Sequence, residues 1–271
     1  MIAADGAGPP RKRFGQHFLH DARVISRIVA AIHPGPGEQL VEIGPGRGAL
    51  TLPLLDAAGT LDVVEIDRDL AARLHLIESE RPGLRVHIGD ALRYDFAELA
   101  KPGKRLRLVG NLPYNISTPL LFHLLDSVNV IQDMVFMLQK EVAERIAAEP
   151  GGRAYGRLSV MVQYHCQVHC LFDVGRGAFS PPPKVDSTIL RLQPIARPAE
   201  AAAIDPGLMK QVVTKAFGQR RKTLRNALRD EMAAADFVLA NVDPARRAET
   251  LGVDDFIRLA NTVAMRRATG S

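Results

Sequence analysis

The strongest constraint on this chain is an alternation of two hydrophobic periods through its first 140 residues. Short apolar, β-branched runs occur at 40–43, 61–66, 84–88, 106–109 and 134–138, each ending near Gly, Asp or Asn. Patterns with helical spacing separate them, at 22–32, 49–55, 68–77, 119–125 and 141–148. Strands that are apolar almost throughout, with helices between them, predict a parallel sheet covered on both faces. Residues 158–174 read as extended, followed by 179–183, and 188–192 reads as another strand. Successive strands without intervening helices predict an antiparallel edge. Pro194, Pro198 and the run 199–203 read as a linker, and helical patterns follow at 208–217, 222–234, 237–240, 244–250 and 254–265. The predicted organisation is an α/β domain over residues 1–193 and a smaller helical domain over 194–271.

Charge separates these two parts. Residues 1–189 hold 21 basic and 21 acidic side chains, and residues 190–271 hold 14 and 9, so the whole net charge of +5 lies in the second part. From Lys210 to Arg229 there are seven cations and no acid. A one-signed stretch of this kind suits a polyanion. Hydrophobic residues at 46% and charged residues at 24% exclude a disordered or fibrous chain. No apolar run approaches the ~18 residues that a membrane span requires, and the Ala/Gly/Pro-rich first ten residues contain no signal-like apolar core. Two cysteines form no disulfide framework, so a reducing cytoplasm is the expected compartment.

The first strand runs into Glu42-Ile43-Gly44-Pro45-Gly46-Arg47-Gly48. A dinucleotide fingerprint needs its third glycine one position later, where this chain has Ala49. The turn still lets backbone approach a ligand closely, and Glu42 can accept from a cationic or amino group. The spacing resembles the first motif of S-adenosylmethionine-dependent methyltransferases. At the end of the next strand Glu65 is placed for ribose hydroxyls, 17 residues beyond Gly48. Asp90, after the third, can accept from an adenine amino group. All three features fall at carboxyl ends of successive strands, the edge where open α/β sheets bind ligands.

The fourth strand ends at Asn111-Leu112-Pro113-Tyr114, which resembles the motif of amino-methyltransferases acting on adenine or cytosine. An exocyclic amine is a poor nucleophile because its lone pair is delocalised into the ring. The Asn111 amide oxygen and the Leu112 carbonyl can each accept one amino hydrogen, and so favour a pyramidal nitrogen. Pro113 fixes the turn and offers no N–H. Tyr114 offers a stacking face for an unpaired or flipped base, and Phe179, in the Pro-rich stretch 178–187, is expected to offer a second.

Together with 12–19, 64–67, 89–90, 138–143, 179–187 and 216–224, these motifs resemble the bacterial 16S ribosomal RNA adenine dimethyltransferases along nearly the whole chain. The resemblance implies a Rossmann-like class I methyltransferase domain with a mostly parallel sheet and an antiparallel edge, plus an all-helical C-terminal domain. It implies S-adenosylmethionine as cofactor, and transfer of four methyl groups in total to two adjacent adenosines in a hairpin loop near the RNA's 3′ end. The substrate is then a late-assembling small subunit, a pre-30S or 30S particle. The enzyme is expected to be a monomer with no membrane partner. By the same resemblance His17, Leu19, Gly44, Glu65, Asp90 and Asn111 bind the cofactor, with Asn111 also catalytic. Arg11, Lys12 and Arg13 form an RNA-facing or initially disordered arm, residues 1–10 are expected to be disordered, and the C-terminal basic cluster binds RNA backbone.

The run His165-Cys166-Gln167-Val168-His169-Cys170 looks like a metal site. Read as strand, it puts the histidines on one face and the cysteines on the other, so no metal is expected. Three other functions are compatible with the motifs: a 23S ribosomal RNA adenine methyltransferase of the macrolide-resistance type, a DNA amino-methyltransferase, and a non-catalytic small-subunit assembly factor.

Overall fold

The structure, a computed structural model, describes residues 16–219 and 221–269. The expected disorder of residues 1–10, the Arg11–Lys12–Arg13 arm and Arg220 lie outside the described residues. The chain forms two compact units. One comprises residues up to Ala143 with Gln167–Pro194, and the other Glu144–Cys166 with the chain from Ile195 onward.

The first unit is built on strands β2 (Gln39–Ile43), β3 (Leu61–Glu65), β4 (Leu84–Ile88), β5 (Leu106–Asn111), β6 (Ile131–Gln139), β7 (Cys166–Val174) and β9 (Ser187–Pro194). Their order is β4-β3-β2-β5-β6-β9-β7. The five strands from β4 to β6 are parallel, and β9 runs antiparallel to β6. The expected sheet with its antiparallel edge is therefore present. Every residue of β2 and β3 is buried, which is why those strands read as continuous rather than alternating runs. Helices α1 (Ala22–Ile32), α2 (Thr51–Ala58), α3 (Arg68–Glu80) and α4 (Ser117–Asp126) accompany the parallel strands, and α5 (Lys140–Ala147) follows β6. Asp21 starts α1 by accepting from the amides of Arg23 and Val24 at 2.8 and 3.1 Å, and Asp67 starts α3 in the same way. Ile28 and Ile32 of α1, Leu54 and Leu55 of α2 and Leu74 of α3 join Leu40, Leu61, Leu84 and Val109 in one core. Each such side chain stabilises the fold by ~1.5–3 kcal/mol relative to exposure.

The chain leaves β2 toward β3 and β4 and returns to β5 on β2's other side. The sheet's switch point therefore lies between the carboxyl ends of β2 and β5. Gly110 makes that approach possible, since a Cβ there would lie 2.4 Å from the Ile43 carbonyl oxygen. A second, two-stranded sheet pairs β1 (Phe18–Leu19) antiparallel with β8 (Phe179–Ser180).

The stretch 158–174 differs from its extended reading. It begins as helix α6 (Arg157–His165) and becomes β7 only at Cys166. Leu158, Ser159, Val160, Met161, Val162 and Tyr164 are all buried, and a helix buried nearly all round leaves no 3.6-residue signature in sequence. Alternation of faces therefore applies only from Cys166 onward. That thiol is buried and pushed up to about 12 by burial, whereas Cys170 is exposed. Among the described residues, no group of three or more His, Cys, Asp or Glu is placed to hold a metal ion.

The expected division at residue 193 is corrected for the same reason. Residues 144–166 belong to the second unit, where α6 packs on α7 (Pro206–Phe217). There the Tyr155 hydroxyl donates to the Leu251 carbonyl at 2.8 Å, and the Gly151 amide donates to that of Glu249 at 2.7 Å. The rest of this unit is helical, with α8 (Leu224–Ala227), α9 (Ala234–Leu239) and α10 (Val253–Thr269). The pattern at 222–234 forms only the short α8 followed by turns, and the amides of Leu224 and Arg225, which open α8, donate to the carbonyls of Arg246 and Pro244. Lys215 and Arg267 both pair with Glu231. Among the described residues, Arg221, Lys222 and Arg225 are exposed and make no ion pair.

Candidate active site

A cleft of about 290 Å³ opens at the switch point, lined from the 16–19, 42–50, 64–70, 89–92 and 111–116 segments. Its floor is the glycine turn, with Gly44, Gly46 and Gly48 at φ +66°, +58° and +83°. L side chains rarely adopt such angles, so the glycines here are a backbone requirement.

Three acidic side chains line this cleft. Glu42 is buried, and its Oε2 accepts from the Thr51 hydroxyl at 2.7 Å. Burial pushes its carboxyl up to about 7, and Glu65 adds repulsion against the Thr51 bond. Glu65 is also raised by burial, although amides hold it, Gly46 N–H at 3.2 Å and Asp67 N–H at 2.9 Å. These bonds fix the carboxylate's orientation and leave each oxygen a further lone pair. Asp90 accepts from the Leu92 amide at 3.0 Å through one oxygen.

The wall opposite is the 111–114 turn. Asn111 Nδ2 donates to the His17 carbonyl at 3.1 Å. A carbonyl only accepts, so the amide nitrogen must face it and Oδ1 is left as the acceptor. The Leu112 amide donates to the Met137 carbonyl at 3.2 Å, which ties the turn to β6. The Tyr114 hydroxyl is 2.8 Å from Ser187 Oγ, and its ring lies 5.4 Å from that of His17 at 31°. His17 Nδ1 donates to the Pro181 carbonyl at 2.8 Å. Leu19, 6% exposed, completes this wall.

The structure thus brings His17, Leu19, Gly44, Glu65, Asp90, Asn111, Leu112, Pro113 and Tyr114 around one cleft. It does not bring Phe179 there. That ring is 2% exposed and packs in the core with Leu19 and Ile28. The expectation of a second aromatic face from Phe179 is corrected: the pairing of β8 with β1 turns this side chain inward. Other residues at the site escaped the sequence reading. Thr51 holds Glu42, and Arg47 lies 4.4 Å over the Phe18 ring. Ser187 is tied to Tyr114 from 73 residues away, and no local spacing signals such a contact.

The model of the family described as ribosomal RNA adenine dimethylase matches residues 9–265. The chain belongs to this family. Ribosomal RNA small subunit methyltransferase A of Pseudomonas aeruginosa is 58% identical to it over 254 residues, 94% of each chain. The protein so named from Nitrosococcus oceani is 55% identical, over 92% of this chain and 94% of that one. Among solved structures, a dimethyladenosine transferase from Plasmodium falciparum aligns with TM-score 0.72 and 27% identity, covering 90% of this chain and 96% of that one. The 23S rRNA methyltransferase ErmE aligns at 0.67 and 26%, covering 91% and 99%.

This dimethylase is an S-adenosylmethionine-dependent methyltransferase with the class I fold. Its cleft suits that cofactor chemically, because carboxylate acceptors and bare glycine backbone match a cationic molecule bearing hydroxyl and amino groups. No helix among the described residues is long and apolar enough to cross a membrane.

Glu42 makes the fit measurable. The folded state holds its proton more tightly than the unfolded chain, so its contribution to stability is present below pH 4.5 and is lost as pH rises toward about 7. A cationic ligand favours the ionised form. Cofactor affinity measured by calorimetry should therefore rise about tenfold between pH 6 and 8, and Glu42→Gln should flatten that rise. An unchanged slope in the variant would remove Glu42 from cofactor binding.

Proposed function

We propose that the enzyme dimethylates the N6 amines of two adjacent adenosines in a hairpin loop near the 3′ end of small-subunit ribosomal RNA, within an assembling subunit. It acts as a cytoplasmic monomer. Gly44, Glu65, Asp90, His17 and Leu19 hold S-adenosylmethionine, which when bound supplies an electrophilic methyl group on its sulfonium. Asn111 Oδ1 and the Leu112 carbonyl would accept the amino hydrogens, two before the first transfer and the remaining one before the second, and so favour a pyramidal nitrogen with an available lone pair. Each transfer breaks the donor's S–C bond as the N–C bond forms and releases one proton from the nitrogen to solvent. Pro113 keeps competing N–H donors out of the turn. Tyr114 stacks on the extruded base, worth ~1–3 kcal/mol. Positioning and preorganised acceptors carry the step.

The observation that carries this reading is the bond from the Asn111 amide nitrogen to the His17 carbonyl, which fixes the orientation of the amide and leaves its oxygen free to accept from a ligand. The exposed Arg221, Lys222 and Arg225 meet RNA phosphates, so affinity falls as salt rises. Incubation of the enzyme with labelled S-adenosylmethionine and under-methylated small subunits, followed by mapping of the modified nucleotides, tests the assignment. Label is expected on two neighbouring adenosines of the small-subunit RNA. No label on the small subunits, with label appearing when isolated large-subunit RNA is supplied in a parallel reaction, would refute it in favour of the 23S-modifying alternative, and no label on either with tight particle binding would favour a non-catalytic assembly factor.

A further inference from the structure

We propose that Ser187 is a positioning residue that presets the Tyr114 ring for the target base; this rests on the reading that Tyr114 stacks on that base. The two hydroxyls lie 2.8 Å apart. Ser187 is fully buried and opens β9, opposite Gln139, the last residue of β6. Its neighbours are fixed in turn. The Lys140 amide donates to the Asp186 carbonyl at 3.0 Å. The Thr188 hydroxyl donates to Asp173 at 2.7 Å, and the Asp186 carboxylate accepts from the Arg176 amide at 3.1 Å. The serine hydroxyl therefore belongs to a rigid part of the sheet.

Tyr114 does not. It stands on the turn after β5, and its ring lines the cleft. An aromatic side chain on a turn has alternative staggered rotamers, and a ring that must be reoriented at each encounter gives part of its stacking energy to ordering. The bond to Ser187 selects one orientation before the base arrives. His17, itself held by the Pro181 carbonyl, limits the ring from a second side. The antiparallel part of the sheet thus does a task for the site that the parallel strands do not. It gives a loop-borne ring a fixed point of attachment.

Because backbone phosphate contacts dominate RNA affinity, loss of this bond should appear in turnover and stacking rather than in binding. Kinetics are measured with the full chain on under-methylated small subunits. Stacking is read as fluorescence quenching of 2-aminopurine placed at a target position in those subunits. Ser187→Ala is expected to lower kcat about five-fold with KM for the particle unchanged, and to weaken quenching. Tyr114→Phe removes the same bond without touching Ser187 and should do the same, so it also serves if Ser187→Ala does not fold. The double variant should be no worse than either single one.

Losses that multiply in the double variant, or wild-type kcat and quenching in both single variants, overturn the proposal. Tyr114→Ala separates this from failure of the underlying reading. Full quenching and turnover in that variant refute the stacking role itself, whereas lost quenching there with wild-type behaviour of Ser187→Ala and Tyr114→Phe refutes only the positioning role.

Discussion

Replacing Asn111 with alanine should lower methyl transfer by about a hundred- to a thousand-fold while leaving particle binding intact. Removal of one preorganised group that meets charge developing in the transition state costs roughly that much. The substitution deletes the acceptor at the carboxyl end of β5 and touches none of the exposed cations. Two measurements check it: single-turnover transfer of labelled methyl groups, and co-sedimentation with under-methylated small subunits. Asn111→Asp is the sharper variant. A carboxylate keeps an acceptor but places an oxygen 3.1 Å from the His17 carbonyl oxygen, where the amide nitrogen now donates. Repulsion should turn the side chain or displace the 16–19 segment, so activity should fall here too. Full transfer by either variant would be incompatible with the proposed role.

Arg107→Ala should cost about 3–5 kcal/mol of stability, a larger loss than any surface substitution is expected to cause. Arg107 lies near the amino end of β5, away from the cleft, and is 6% exposed. Its guanidinium makes a two-point contact with Asp133, Nε at 2.8 Å and Nη2 at 3.0 Å. Nη1 reaches Glu38 at 2.6 Å, and the carbonyls of Ile32 and His33 accept the remaining bonds at 2.7 and 3.2 Å. The hydrogen bond to Asp133 and, next, that to Glu38 hold the guanidinium charged more firmly than usual, despite burial. Truncation leaves Asp133, itself buried, facing Arg191 only at 3.8 Å. A buried carboxylate stripped of its fork is the costly element. Scanning calorimetry should show the melting temperature lowered by roughly 6–20 °C. Arg107→Lys keeps the charge and loses the fork, so it should fall between. A change below 2 °C in Arg107→Ala would show that the network adds nothing net.

The legible parts of the chain were those whose signal is local. Glu42 through Gly48 could be read as a ligand turn because positive φ demands glycine, and the structure shows all three glycines there with positive φ. The strands β2 and β3 could be read because complete burial needs largely apolar runs. Helix α6 was lost because it is buried nearly all round, and a mostly apolar run of Leu, Val, Met and Tyr is ambiguous between helix and strand. Phe179 failed for another reason. Its motif placed it near the site, but pairing with β1 decided which way the ring turned.

By itself the sequence determined the class of sheet, the edge that binds ligands, the turn that carries the amide, and the part of the chain that holds the excess positive charge. Each follows from the period, residue type or spacing of neighbours within one segment. Only the tertiary contacts decided which way the Asn111 amide faces, that Glu42 is buried and Phe179 is in the core, and that Ser187 and His17 converge on Tyr114. Those outcomes depend on contacts between segments from 70 to more than 160 residues apart, and the chain's local chemistry carries no record of such distances.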